Sequence, residues 1–401
     1  MLKIGIIRET KNPPDRRVPL TPRQILRLQE MFPSSSFIVQ PSPFRCYSDE
    51  EYKEAGIRVY EDLTECNILL GIKEVNRSTF IAGKTYLFFA HVGKKQKSNR
   101  EMFRTMAEKG ITLIDYEYLT NEKGERVVAF GHWAGIVGAY NGLRVLGIKK
   151  SLFDLKPASQ SRDYNELLQN IKNVSLPSGL KILVTGTGRV AGGIMEILEK
   201  CDIKKVSPHE YLSGTFNIPV VCQIGPEYYV RHKKGKEFVF SHFIENPGEY
   251  ESAFFPFAEA TDVLMTGHYW DPASPKFLTI EDMKKDTFRI SVIADISCDV
   301  NGPLPSTVRP STISEPFYDF NPVLEREEPP FSRPENITVM AVDNLPGELP
   351  RDASVDFGNQ LMQTILPEIL QGAHSPMKER ATILLEGRLT PRFSYLADYL
   401  K

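Results

Sequence analysis

The sequence predicts an α/β protein made of two doubly wound domains on parallel sheets. Three observations carry this. At 401 residues the chain is longer than one ordinary core organises, so two domains are expected. Short apolar runs alternate with helical patterns from Leu2 to Ile114, the mark of strand–helix–strand units. The same alternation starts afresh at Lys181.

In the first unit, residues 2–7 read as a strand. Thr21 and Pro22 then supply a helix cap and a proline at the first helical position, with Ile25 and Leu28 at helical spacing. Residues 37–39, 68–72, 86–90 and 111–114 read as further strands, and residues 48–55 and 99–107 as helices. Residues 132–146 are apolar and rich in small side chains (Ala134, Gly135, Gly138, Ala139), which fits a closely packed helix linking two domains. Residues 150–179 are polar and read as a connector.

In the second unit the expected strands are 181–185, 205–206, 263–266, 289–294 and 337–342. Residues 207–261 are expected to be an insertion of irregular or hairpin structure. The proline-rich stretch 303–334 reads as loop, and residues 353–371 as an amphipathic helix. The expected division is 1–136 with 345–401, and 137–344.

Composition excludes several classes. The formal charge of -2 gives no field for nucleic acid, and no run approaches the ~18 apolar residues of a membrane span. Cys46, Cys66, Cys201, Cys222 and Cys298 are scattered, without zinc-like spacing, so no metal is expected. With no signal-peptide pattern, this favours a reducing cytoplasmic location.

The sharpest motif is the turn after residues 181–185. Gly186, Gly188 and Ala191 form G-x-G-x-x-A between a strand and a helix. Gly186 permits the tight turn, Gly188 lets backbone approach a pyrophosphate, and Ala191 allows close helix–strand packing. The unit is therefore expected to be a Rossmann-like dinucleotide domain. An acidic ribose partner belongs ~20 residues further on. Ser207 stands there, which favours NADP over NAD, although nearby Glu210 is an alternative acid.

A second constellation lies at strand ends of the first unit. Arg17, Lys73, His91 and Glu117 follow successive strands, and the carboxyl ends of parallel strands share one edge. Asp295, Asp343 and Asn344 fall at the corresponding edge of the second sheet. The active site is expected in the inter-domain cleft, and small molecules are the expected partners.

These strings, taken in order, resemble a known family. Arg8-Glu9-Thr10-Lys11, the run Arg17–Pro22, Gly71-Ile72-Lys73, Phe89-Ala90-His91 with Lys94 and Gln96, and Asp115-Tyr116-Glu117 come first. The run Arg126–Gly131 with Trp133-Ala134-Gly135, the glycine turn, and Pro208-His209-Glu210 follow. Tyr269-Trp270, Asp295-Ile296-Ser297 with Asp299, and the run Asp343–Pro346 complete the set. The chain resembles the lysine-forming saccharopine dehydrogenases within the alanine dehydrogenase and transhydrogenase superfamily. It is most similar to the lysine–2-oxoglutarate reductase half of the bifunctional aminoadipic semialdehyde synthases.

The resemblance implies a reversible reductive condensation of lysine with 2-oxoglutarate to saccharopine, using NADP or NAD. Onward oxidation would fall to a separate saccharopine-oxidising partner enzyme. Carried over by position, Lys73 and His91 are the acid/base pair. Arg17, Lys94, Gln96, Glu117, Ser297 and Asp299 meet substrate. Gly188, Arg189, Tyr269, Ile296, Asp343, Asn344 and Leu345 meet the dinucleotide, together with Gly186, Ala191 and Ser207 of the turn reading. Arg126 is assigned to the cofactor or to a substrate carboxylate. Three other readings stand beside this one: an alanine-dehydrogenase-like amino acid dehydrogenase, a related opine-type condensation with another amine, and a non-catalytic nucleotide-binding protein.

Overall fold

The structure is a computed structural model that describes residues 2–401. The chain forms two compact units, one of residues up to Phe130 together with Pro350–Lys401, the other Gly131–Leu349. The breaks fall a few residues from the expected 136/137 and 344/345.

The first unit is built on an eight-stranded sheet. Its order is Arg388–Leu389, Thr382–Leu385, Thr112–Asp115, Thr85–Phe88, Ile68–Leu70, Leu2–Ile6, Ser35–Val39, Arg58–Val59. The six strands from Thr112–Asp115 onward are parallel, and in chain order they run 3-2-1-4-5-6, the doubly wound arrangement. The reversal point lies between Leu2–Ile6 and Ile68–Leu70. Ile4, Ile6, Leu69, Leu70, Leu87, Phe88 and Leu113 are fully or almost fully buried, as expected of strands covered on both faces. Thr21 and Gln24 form a capping box that starts the helix Pro22–Met31.

The returning helix Pro350–Gln363 closes this core. Phe357 stacks on Phe130 at 4.4 Å and meets Tyr116 edge-on at 5.1 Å. The sheet is not wholly parallel, because Thr382–Leu385 and Arg388–Leu389 add an antiparallel edge.

The second unit also has an eight-stranded sheet. Its order is Arg326–Glu328, Phe317–Asn321, Ile337–Met340, Val292–Asp295, Val263–Thr266, Lys181–Thr185, Val220–Ile224, Lys204–Lys205. Two expectations are corrected here. The segment read as loop, 303–334, contains the antiparallel strands Phe317–Asn321 and Arg326–Glu328. The segment read as an irregular insertion contributes Val220–Ile224, which pairs along its full length with Lys181–Thr185. That strand is short and follows Pro219, so its apolar run carried no periodicity to separate it from loop.

The rest of the inserted segment includes the hairpin Val230–His232/Tyr250–Ser252. His232, His242 and Glu249 bring ligand-type atoms within 4.8 Å of one another. Lys234 N–H donates to His232 Nδ1 at 3.0 Å, so Nε2 keeps its proton and donates to Glu249 at 3.0 Å. His232 and Glu249 are thus hydrogen-bonded to each other, while His242 bonds to the Tyr250 hydroxyl at 3.0 Å.

The long helix Gly131–Lys149 packs on the helix Arg189–Lys200 with backbones nearly touching. A Cβ on Gly135 would overlap the Val190 carbonyl, and one on Gly193 the His132 carbonyl. No helix among the described residues is long and apolar enough to cross a membrane. Gly135→Ala should lower thermal stability, although alanine is the better helix former by ~1 kcal/mol. Overpacking of about 1–3 kcal/mol wins, which lowers Tm by roughly 5 °C. An unchanged or raised Tm in a calorimetric scan would refute this close crossing.

Candidate active site

In the first unit the strand ends do gather ionisable groups on one edge. Glu9 follows Leu2–Ile6 at the reversal point. Its carboxyl accepts from the backbone N–H of Ile72 at 2.7 Å and of Lys73 at 2.9 Å. It therefore fixes the turn that presents Lys73. Burial, and then the Asp15 charge, push the Glu9 carboxyl up to about 8.

Lys73 itself is half-buried. Burial lowers its pKa first, and the charges of Arg17 and Lys11 lower it further. A lysine in such a place exchanges protons closer to neutral pH than an exposed one.

His91 follows the adjacent strand, Thr85–Phe88, and sits at φ 51, a left-handed conformation unusual for a residue with a side chain. Its Nδ1 lies 2.6 Å from Glu74 Oε1, and its ring stacks on Phe89. Burial would raise the Glu74 carboxyl, but the hydrogen bond and charge of His91 outweigh it and hold it at about 2. The carboxylate accepts the Nδ1 proton, which leaves Nε2 as the nitrogen turned to chemistry. Asp115 braces the same edge. It accepts from Ala90 N–H at 3.2 Å and Glu117 N–H at 2.9 Å, and burial pushes it up to about 7.

The expected carboxylate-binding cations fare differently. Arg17, expected to meet substrate, is buried and bound to Asp15 through Nε at 3.0 Å and Nη2 at 2.5 Å, with its guanidinium over the Phe130 ring. The sequence reading took Arg17 as an open cation because the pairing depends on burial. Arg126 donates to Glu117 at 3.0 Å. Lys94 and Gln96 lie exposed on the segment after His91. Gln96, Glu74, Lys11 and Asn99 line one open cavity of about 410 Å³. Sequence reasoning passed over Glu74 and gave Glu9 no role. Their position beside Lys73 and within the Arg8–Lys11 string was the available signal.

In the second unit the glycine turn has the geometry its residues call for. Gly186 has φ +95, and a Cβ there would lie 2.6 Å from the Gly267 carbonyl oxygen. Gly188 caps the helix Arg189–Lys200, and a Cβ there would meet nothing within 4 Å. Ala191 is fully buried, with its backbone nitrogen 2.8 Å from where a Gly267 Cβ would be. The open backbone at Gly188 and the helix N-terminus that it caps fit a dinucleotide pyrophosphate.

Asp295 ends a parallel strand of this sheet, and Tyr269, Ser297 and Asp343 follow the carboxyl ends of such strands. Tyr269 and Asp343 are exposed there. Ser297 donates to Asp295 at 2.6 Å, as do Thr266 at 2.6 Å and Thr307 at 2.5 Å. Ile296 and Leu345 are buried, with Ile296 filling the groove at Gly138. Their side chains are packing groups, so any ligand contact there falls to backbone. Asn344 caps the short turn Leu345–Glu348, and the Asp299 carbonyl closes a turn with Gly302.

Ser207 does not hold the position expected of it. It follows Lys204–Lys205 at the sheet edge, and its hydroxyl caps the helix Pro208–Ser213, donating to Glu210 at 2.7 Å. Glu210 is occupied in the same capping box.

Known proteins resemble this chain in sequence and in fold. The alanine dehydrogenase/PNT N-terminal domain model matches residues 5–137. The mitochondrial alpha-aminoadipic semialdehyde synthase of Rattus norvegicus is 28% identical over 98% of this chain and 47% of its own length. That of Arabidopsis thaliana is 29% identical over 98% of this chain and 41% of its own. The chain spans about half the length of these relatives or less. The saccharopine dehydrogenase (NAD(+), L-lysine-forming) of Yarrowia lipolytica is 26% identical over 96% of this chain and 97% of that protein.

The resemblance covers nearly the whole chain. Among solved structures, an L-alanine dehydrogenase superposes with TM-score 0.65 at 16% identity, covering all of both chains. A transhydrogenase from Sinorhizobium meliloti gives 0.60 at 14% identity, covering 96% of this chain and 98% of that one. These two show the fold: two Rossmann-like domains.

Proposed function

We propose that this chain is a pyridine-nucleotide-dependent oxidoreductase of the saccharopine-forming type, joining an amino acid amine to a 2-oxo acid by reductive condensation. The observation that carries this is the pairing of Lys73 and His91 on adjacent strand ends, each fixed by a carboxyl group, Glu9 on the Lys73 backbone and Glu74 on the His91 ring. Imine chemistry moves protons at both nitrogen and oxygen, which two groups of different basicity serve.

In this reading Lys73 takes the proton from the attacking ammonium and later returns one to the secondary amine. His91 Nε2 gives a proton to the departing hydroxyl as water is lost. Lys94 and Arg126 face the substrate carboxylates, and Gln96 adds a neutral donor. Arg17 acts at one remove, since its charge helps to lower Lys73. Gly186, Gly188 and the first turn of Arg189–Lys200 hold the dinucleotide pyrophosphate, with Tyr269, Asp343 and Asn344 as further contacts. When bound, the reduced nicotinamide supplies the hydride that reduces the imine carbon.

L-Lysine is the amine favoured by the names of the saccharopine dehydrogenase relatives, and 2-oxoglutarate is the 2-oxo acid that the family resemblance implies. The test is oxidation of NADH or NADPH by purified protein with lysine and 2-oxoglutarate, beside pyruvate and ammonia. Turnover with the first pair supports the reading. Turnover only with pyruvate and ammonia would replace it with an alanine-dehydrogenase-like activity.

A further inference from the structure

The strand that comes next in sequence after the glycine-turn helix is not the strand that lies next to it in the sheet. In chain order, the parallel strands of the second unit run 2-3-1-4-5-6. Lys204–Lys205 is the edge, and Val220–Ile224 separates it from Lys181–Thr185. In a doubly wound dinucleotide domain the acid that reads the adenosine ribose sits at the carboxyl end of the strand beside the glycine turn. Counting along the sequence reaches Ser207, whereas the sheet puts that place after Ile224. We infer that Glu227 binds the ribose 2′-hydroxyl and sets a preference for NADH over NADPH, an inference that rests on the second unit being the dinucleotide site.

The local geometry ties this place to the turn. Gly186 N–H donates to the Ile224 carbonyl at 2.8 Å, and Gln223 Nε2 donates to the Gly186 carbonyl at 3.0 Å. Gly225 follows, and the Glu227 carboxylate folds back directly over it. Glu227 is exposed, and an ionised carboxylate only accepts hydrogen bonds. It therefore suits a vicinal diol and repels a phosphate on the same ribose carbon. The cation at this edge, Lys205, donates to Gln223 Oε1 at 3.0 Å. Ser207, the residue that pointed to NADP, is a helix cap one strand further out.

The experiment measures kcat/KM and Kd for NADH and NADPH in the full chain, with Glu227→Gln and Glu227→Arg beside the unaltered protein. The expected result is at least tenfold preference for NADH. Glu227→Gln should reduce that ratio about tenfold, through KM for NADH with kcat little changed. Glu227→Arg should tighten NADPH. A preference for NADPH in the unaltered protein, or a ratio unmoved by both substitutions, overturns the assignment. If lysine and 2-oxoglutarate are not turned over, fluorescence titration with the two dinucleotides still gives the ratio, so that failure counts against the substrate alone. If neither dinucleotide binds, both readings fall.

Discussion

Lys73→Met should lower kcat by about 10²–10⁴-fold while leaving the protein folded, and His91→Gln should do the same. Methionine matches the length of the lysine stem and removes only the amine from a half-buried site, so thermal stability should hold or rise. The two variants should differ in pH profile. Because Lys73 must start neutral to take the ammonium proton, its ionisation sets the acidic limb of kcat; burial and the Arg17 charge bring that limb below the ordinary lysine range, and it should vanish in Lys73→Met. That limb should persist in His91→Gln. Glu74→Gln should act through His91 by weakening the hold on Nδ1, with a smaller loss than either. If Lys73→Met and His91→Gln both keep full turnover, the acid/base assignment is wrong.

Asp15→Asn should destabilise the first unit by about 3–5 kcal/mol, because it leaves Arg17 buried without its carboxylate. Burial alone would raise the Asp15 carboxyl, but the Arg17 charge and hydrogen bonds outweigh it and hold the group at about 2, below its ordinary 3.8. A depressed carboxyl adds stability that is fully present above its unfolded value and is lost as pH falls through the folded one. The gap in stability between the unaltered protein and Asp15→Asn should therefore be constant near neutral pH and narrow between about 4 and 2. Replacing both partners, Asp15→Asn with Arg17→Met, should recover much of the loss, since no charge is left buried alone. Urea unfolding across pH reads all three. Equal stability of Asp15→Asn and the unaltered protein at neutral pH would contradict the account. The double variant should also shift the acidic limb of kcat upward, because the lowering by Arg17 outweighs the raising by Asp15 that is removed with it.

Much of the fold was legible because its signals are local. The glycine turn, the Thr21-Pro22 cap and the strand-end positions of Lys73 and His91 are each written within a few residues of sequence. Strand neighbours are not local. Nothing in the run after Pro219 shows that Val220–Ile224 inserts beside Lys181–Thr185, and that one pairing moves the ribose position from Ser207 to Glu227. The proline-rich stretch 303–334 hid two antiparallel strands for a related reason, since Phe317–Asn321 pairs with Ile337–Met340 on one side and with the edge strand Arg326–Glu328 on the other, and the run itself shows neither pairing. Charge pairing was likewise hidden. Asp15 lies two residues from Arg17, yet only burial makes the two an ion pair rather than loop charges. Glu74 was overlooked because its role is to hold a neighbour, and its partner His91 is seventeen positions away.

The proposed reaction is reduction of an imine formed from an amine and a 2-oxo acid. The most direct measurement uses lysine, 2-oxoglutarate and reduced dinucleotide deuterated at the transferring position of the nicotinamide, with the product read by mass spectrometry. The expected product is a secondary amine joining the two substrates, with one deuterium on the carbon that was the 2-oxo carbon. Oxidation of the dinucleotide without that labelled amine, or a deuterated product only from pyruvate and ammonia, would contradict it.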